Sequence, residues 1–268
     1  MSTVVSRDGT HIAFERSGRG RPVILVDGAF CYRGLGPMGK LAPLLAELFT
    51  VYTYDRRGRG ESGDGAPYAV AREIDDLDAL ITEAGGTASV FGMSSGAVLA
   101  LEAAASGLSI DKLALYEPPF MDDEDRRRRP ADHQAQLVRM ISAGRRSEAV
   151  RFYMTKLIGM PAVLVTAMRL FPMWKKLKAV APSLPYDSAV LSDFSLPVQR
   201  VASIRIPTLV AGGAKSPPLL RNAVAAVANT LPNAQHRLLD GQTHNFSAKA
   251  LAPVLAGFFS SAGIASTP

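Results

Sequence analysis

Short apolar runs alternate with amphipathic stretches along most of the chain. Pro22–Val26, Thr50–Tyr54, Ala88–Phe91, Leu113–Tyr116, Thr208–Ala211 and His236–Leu239 have the length and residue types of strands. Val4–Ser6 and His11–Phe14 flank Asp8-Gly9 and predict an opening hairpin. Helical patterns lie at Pro37–Phe49, Tyr68–Ala84, Ala97–Ala105 and Pro218–Thr230, and from Ser247 or Ala248 to Phe259. Within Tyr68–Ala84, Ile74, Leu77, Leu80 and Ile81 recur at core spacing. Strands that alternate with helices predict an α/β fold, with a mostly parallel central sheet flanked by helices on both faces.

The alternation stops between Met121 and Ser203. Helical patterns appear near Ala131–Ala143, Ser147–Ile158 and Pro161–Val180, and prolines at 161, 172, 182, 185 and 197 break the region. The expected organisation is a core of residues 1–120 and 204–268, with residues 121–203 inserted as a helical cap over the site. Met160, Met168, Phe171, Met173 and Trp174 give the insertion bulky apolar groups. They can line a substrate pocket or pack the cap onto the core, and both readings stand. Cys31 and Met93 join the pocket-lining candidates.

The length of 268 residues suits one large α/β domain with an insertion. The single cysteine, Cys31, allows no internal disulfide and fits a reducing cytoplasm. It has no motif of its own and reads as a buried or pocket-lining thiol. The N-terminus shows no secretion signal, so a cytoplasmic location is expected. No apolar run approaches the roughly 20 residues that span a bilayer. Lys175, Lys176 and Lys178 beside Trp174 allow weak membrane-surface contact, without stable insertion. Net charge is +6. Its densest run, Arg126–Arg129, follows Asp122–Asp125 at helical ion-pair spacing, which argues against a nucleic-acid partner.

The candidate chemistry starts at Gly92-Met93-Ser94-Ser95-Gly96, between a strand-like run and a small-residue helix. A Gly-x-Ser-x-Gly turn in this context strains its central residue and lifts the serine hydroxyl above the sheet. The glycines give room where a Cβ would collide with the neighbouring strand or helix. The following helix aims its N-terminal amides at the reacting centre. The register makes Ser94 the candidate nucleophile and leaves Ser95 to offer its backbone N–H. The blander reading is a helix-capping serine.

Serine needs a base. The chain has four histidines, His11, His133, His236 and His244. His244 lies on the loop after the last predicted strand, from which it can reach the carboxyl edge of a parallel sheet. His11 follows a hairpin turn, His133 lies in a charged helical region, and His236 sits among strand residues. A competing motif, Gly58-Arg59-Gly60-Glu61-Ser62-Gly63, fits a dinucleotide fingerprint only superficially. Asp64, Gly65, Ala66 and Pro67 separate it from the next helix, and Asp55-Arg56-Arg57 puts large charged residues at the turn.

Taken together, Asp27-Gly28-Ala29-Phe30, Tyr54–Ser62, the Gly92–Gly96 elbow and Gly241-Gln242-Thr243-His244 resemble the α/β-hydrolase fold family with a helical cap. The resemblance spans nearly the whole chain. It implies a serine hydrolase with Ser94 as nucleophile and His244 as base. It also implies an oxyanion hole built from the amides of Ala29 or Phe30 and of Ser95, each donor worth about 3 kcal/mol in the transition state. The loop after the early strand often begins His-Gly in this family, and here it begins Asp27-Gly28. Asp27 adds a negative charge that can disfavour anionic substrates, or it can hold the loop by hydrogen bonding.

The family usually places an aspartate after the strand that follows the cap. That segment here reads Ala211-Gly212-Gly213-Ala214-Lys215-Ser216-Pro217, without a carboxylate. Some relatives, including certain haloalkane dehalogenases, carry the acid one strand earlier. That position holds Glu117, in Leu115-Tyr116-Glu117-Pro118-Pro119. Glu117 is therefore the expected acid, with Asp187 and Asp193 as weaker candidates. Dehalogenation itself is disfavoured, because those enzymes use an aspartate nucleophile. The resemblance implies cleavage of an ester, lactone or thioester with no metal or organic cofactor, and the apolar content of the insertion points to a small hydrophobic substrate. C–C bond hydrolysis, cofactor-free perhydrolysis and a non-catalytic small-molecule binder are the alternatives.

Overall fold

The computed structural model describes residues 2–261. Met1 and residues 262–268, the last part of the expected core segment, lie outside the described residues. The core strands are β1 (Ser2–Val5), β2 (His11–Ser17), β3 (Pro22–Val26), β4 (Thr50–Tyr54), β5 (Ala88–Met93), β6 (Ile110–Tyr116), β7 (Thr208–Gly213) and β8 (Ala234–Leu239). They form one sheet in the order β1-β2-β4-β3-β5-β6-β7-β8. The β1–β2 hairpin pairs antiparallel and β2 joins β4 antiparallel, while every later pairing is parallel.

Alternation along the strands divides the core between two faces. Ile24 and Val26 face one layer with Val90, Leu113 and Leu115, beneath α2 (Val70–Glu83), α3 (Ser95–Ala105) and α11 (Pro218–Thr230). Val23 and Leu25 face the other with Phe91, Ala114 and Leu209, beneath α1 (Met38–Leu45) and α12 (Ala248–Ser260). Burial on both faces explains why the central strands read as continuous apolar runs.

Between β6 and β7 the described residues form helices and turns without a strand. The helices are α4 (Asp123–Arg127), α5 (His133–Ser142), α6 (Arg146–Phe152), α7 (Ala162–Met168), α8 (Met173–Val180), α9 (Leu184–Leu191) and α10 (Val198–Ala202). A π-helical turn, Tyr153–Leu157, continues α6. The stretch around Pro182 and Pro185 was expected to be a break. It contains a 3-10 turn at Ala181–Ser183 and then α9, with proline in the first helical positions, where its missing N–H is harmless. Helix α9 packs against α2 and α3. Leu137, Val150, Tyr153, Trp174 and Leu184 of the insertion belong to the same apolar cluster as the core sheet.

Candidate active site

Strand β5 runs into α3 through the Gly92–Gly96 turn, and Ser94 sits there at φ 55°, ψ −125°. A non-glycine residue in this region is strained by about 1–3 kcal/mol. The turn holds because its flanks are bare. A Cβ on Gly92 would come within 2.4 Å of the Gly96 carbonyl, and one on Gly96 within 2.4 Å of the Val26 carbonyl. Ser94 occupies the N-cap position but makes no side-chain capping bond. Its Oγ has no side-chain hydrogen bond among the described residues, so helix capping does not account for it.

Met93 pairs with Tyr116 in the β5–β6 ladder, so Ser94 and Glu117 leave adjacent parallel strands side by side. Glu117 is fully buried and, like Ser94, has positive φ, at 48°. Its Oε2 lies 2.7 Å from His244 Nδ1. Its Oε1 accepts from the Gly213 amide at 2.7 Å and from Ser216 Oγ at 2.5 Å. Burial opposes ionisation of this carboxyl. The bonds from His244, Ser216 and Gly213 overcome that and hold it below the ordinary glutamate value. The loop carrying His244 is fixed from beneath, where Tyr116 Oη donates to the Thr243 carbonyl at 2.7 Å. With Nδ1 on Glu117, His244 keeps Nε2 for other chemistry.

The loop after β3 lies against the elbow. A Cβ on Gly28 would meet Ser94 Cβ at 3.1 Å. Phe30 has φ 64° and packs edge-on against Tyr153 of the insertion, with ring centroids 5.3 Å apart. Among the described residues, the amides of Ala29, Phe30 and Ser95 make no turn, loop or cap backbone bond. These three amides are thus without an acceptor among the turn, loop and cap bonds of the described residues.

A buried ionic knot ties this loop, the elbow and the insertion together. Asp187 of α9 receives Ser95 Oγ at 2.8 Å, Arg56 Nη1 at 2.9 Å and Arg59 Nη2 at 2.7 Å. Arg59 also donates to the carbonyls of Gly28 at 2.7 Å and Cys31 at 3.1 Å. Arg56 grips Glu73 through two bonds of 2.6 and 2.7 Å, and Tyr68 Oη caps that carboxylate at 2.7 Å. Burial disfavours charge on Asp187, yet Arg59 and Arg56 hold it below the usual aspartate range. Asp187 thus sits on the arginines and Ser95, apart from the Glu117–His244 contact. Asp193 is exposed and pairs with Arg126 at 2.5 Å.

Asp27 departs from both expectations for it. Its buried Oδ1 has no hydrogen-bond partner, so its side chain does not hold the loop that way; Arg59 holds the loop instead. Burial pushes the Asp27 carboxyl up to about 8 against the pull of Arg59 and Arg56, which favours its protonated form far above the usual aspartate range. Burial and the neighbouring Asp27 likewise push the half-buried Cys31 thiol up to about 12.

The other candidates separate. Met93 is buried in the core layer under α1 and α12. Trp174 is buried and donates Nε1–H to Ser147 Oγ at 3.1 Å, which ties it to packing within the insertion. Phe171 is 63% exposed. Met160 and Met168 are half-buried against the main core. His133 is buried with Nδ1 against Ser188 Oγ, and His11 and His236 are exposed. The Gly58–Gly63 run leads to a helix only at Val70, and the side chain of the preceding Asp55 accepts from the amides of Arg33 and Glu61.

Ser216 and the Asp187 knot were not anticipated. Nothing local marks Ser216 as the partner of a carboxylate 99 residues away. The charges in Asp55-Arg56-Arg57 were a visible signal, because large charged groups at a sheet-edge turn invite buried partners.

Comparison with known proteins follows the same geometry. The family model described as the alpha/beta hydrolase family matches residues 18–252. No curated protein matches the chain. An alpha/beta hydrolase from Sphaerobacter thermophilus is 53% identical, covers 97% of this chain and 100% of its own, and superposes with a TM-score of 0.90. An esterase from Exiguobacterium antarcticum is 19% identical, with 97% and 99% covered and a TM-score of 0.73. A meta-cleavage product hydrolase from Pseudomonas fluorescens is 15% identical, with 97% of each chain covered and a TM-score of 0.66. The chain belongs to the alpha/beta hydrolase family.

Proposed function

We propose that the protein is a serine hydrolase that cleaves a carboxylic ester, lactone or thioester of a small hydrophobic molecule through an acyl-enzyme. The observation that carries this reading is the 2.7 Å contact of His244 Nδ1 with the buried Glu117, beside a strained Ser94 whose hydroxyl is free of capping. Ser94 Oγ attacks the carbonyl carbon as His244 Nε2 takes its proton. Glu117 fixes the imidazole tautomer and stabilises the cation. The oxyanion rests on the amides of Ser95 and of Phe30 or Ala29. Nε2 then protonates the leaving group. In the second half, Nε2 deprotonates water, which attacks the acyl carbonyl, and the proton returns to Ser94 as its bond to the acyl group breaks.

The insertion acts in this reading as a cap, and Cys31, Met160 and Met168 are its proposed pocket contacts. A panel of short- and long-chain acyl esters, lactones, thioesters and a carbon–carbon diketone tests the reaction class. Turnover of an acyl ester, lactone or thioester that disappears in Ser94→Ala is expected. Turnover of the diketone alone would replace acyl transfer with C–C hydrolysis.

A further inference from the structure

The insertion carries an apolar surface that the proposed reaction does not use. Six of the eleven large apolar side chains exposed among the described residues fall between Ile158 and Met173. They are Ile158, Val163, Leu164, Leu170, Phe171 and Met173, and Leu170 and Val163 are 85% and 83% exposed. Helix α7 buries little besides Val165 and the inner side of Met168, so its apolar content is mostly turned to solvent. The other exposed large apolar residues are Val5, Leu48, Val138, Val198 and Leu238, scattered along the chain. A cluster confined to one segment marks an interaction surface, whereas isolated exposed residues need no explanation.

The charge of the same segment is one-sided. From Ala149 to Tyr186 the chain carries Arg151, Lys156, Arg169, Lys175, Lys176 and Lys178, and no aspartate or glutamate. All but Lys178 are exposed, and Lys178 is partly so. Arg169 lies beside Leu170, and Lys175 and Lys176 follow Met173 within α8.

We propose that the segment Ile158–Lys178 is a docking surface for an anionic phospholipid bilayer. Leu170, Phe171 and Val163 would enter the boundary between headgroups and acyl chains, while the cations meet lipid phosphates. The flexible stems of lysine and arginine let their charges stay at headgroup level above the apolar side chains. A second copy of the chain is disfavoured by the same charges, because a self-paired face would oppose two rims of net positive charge, and Glu148, which shares a groove with Lys175 and Lys178, is already paired with Arg145 at 3.1 Å. Among the described residues no helix is long and apolar enough to cross a membrane, so the proposed contact is a peripheral one.

The test is co-sedimentation of the full chain with two kinds of vesicle, phosphatidylcholine alone and equal parts phosphatidylcholine and phosphatidylglycerol. Binding to the mixed vesicles, weak binding to the neutral ones and release by salt are expected. Lys175→Glu with Lys176→Glu should weaken mixed-vesicle binding by at least roughly fivefold per position. Leu170→Ser with Phe171→Ser should weaken it by about tenfold or more. All four side chains are exposed, so the variants should keep the parent melting temperature. Leu48→Ser, at an exposed apolar residue outside the segment, should leave binding unchanged. Failure to bind mixed vesicles, or equal binding to both kinds, would overturn the proposal. So would a dimer on gel filtration that Leu170→Ser with Phe171→Ser dissolves, which would assign the surface to a second copy. None of these readouts depends on the hydrolase reaction.

Discussion

Glu117 and Gly213 lie 96 residues apart in sequence, and the Gly213 amide donates to Glu117 Oε1 at 2.7 Å. The end of β7 thus supplies hydrogen-bond donors to a carboxylate that arrives from β6. Its glycines make room, since a Cβ on Gly212 would stand 3.2 Å from Glu117 Oε1.

Glu117→Gln keeps the volume but cannot stabilise an imidazolium, so kcat should fall by about 10³–10⁴. Ser216→Ala removes one of three bonds and should lower kcat by roughly tenfold, about 1.4 kcal/mol. Steady-state kinetics on one ester substrate check the order. A larger loss in Ser216→Ala than in Glu117→Gln would contradict the assignment. The bonded carboxylate also stabilises the fold. Because its folded value lies below its ordinary one, that contribution is present above the ordinary range and lost as pH falls through the folded value.

Asp187→Ala would leave the buried guanidinium groups of Arg56 and Arg59 without their shared anion. Removing one partner of such a knot costs about 3–5 kcal/mol, which thermal and urea unfolding would register. Ser95→Ala removes one neutral donor to Asp187 and keeps the backbone amide. It should cost about 1 kcal/mol in stability and leave kcat within roughly tenfold of the parent. A kcat loss in Ser95→Ala as large as that in Ser94→Ala would mean that the register of the elbow is wrong.

Asp27 gives a pH dependence of opposite sign to Glu117. The folded chain keeps its proton up to about pH 8, whereas an unperturbed aspartate releases it at 3.8. Between those values the unfolded state binds fewer protons, so this group makes stability fall as pH rises. Its slope is at most about 1.4 kcal/mol per pH unit. Asp27→Asn should remove it, and its stability relative to the parent should rise with pH across that window. Urea midpoints measured at several pH values check this; parallel curves for parent and variant would sink the idea.

Much of this arrangement was legible in the sequence because it depends on local chemistry. The bare glycines around Ser94, the apolar runs of β3 to β7 and the loop position of His244 are patterns of neighbouring residues. Glu117 follows from the resemblance, because some relatives carry the acid at its position and the segment after β7 has no carboxylate. Helix α9 was not legible, because Pro182 and Pro185 read as breaks when they occupy early helical positions. Strand β2 runs on through Glu15-Arg16-Ser17, which are exposed and carry no apolar signal. Trp174 and Phe171 look alike in composition, yet one is buried on Ser147 and the other faces solvent. Pairings such as Ser216 with Glu117 or Asp187 with Arg59 arise from tertiary contact, which no local pattern encodes.

The central claim is that Ser94 is the nucleophile, activated by His244 and Glu117. A fluorophosphonate captures an activated serine covalently, independent of the natural substrate. Intact mass and peptide mapping after labelling test the claim most directly. One adduct is expected, on Ser94, absent in Ser94→Ala and strongly slowed in His244→Ala and Glu117→Gln. Stoichiometric labelling that persists in Ser94→Ala, or an adduct mapped to Ser95, would contradict it.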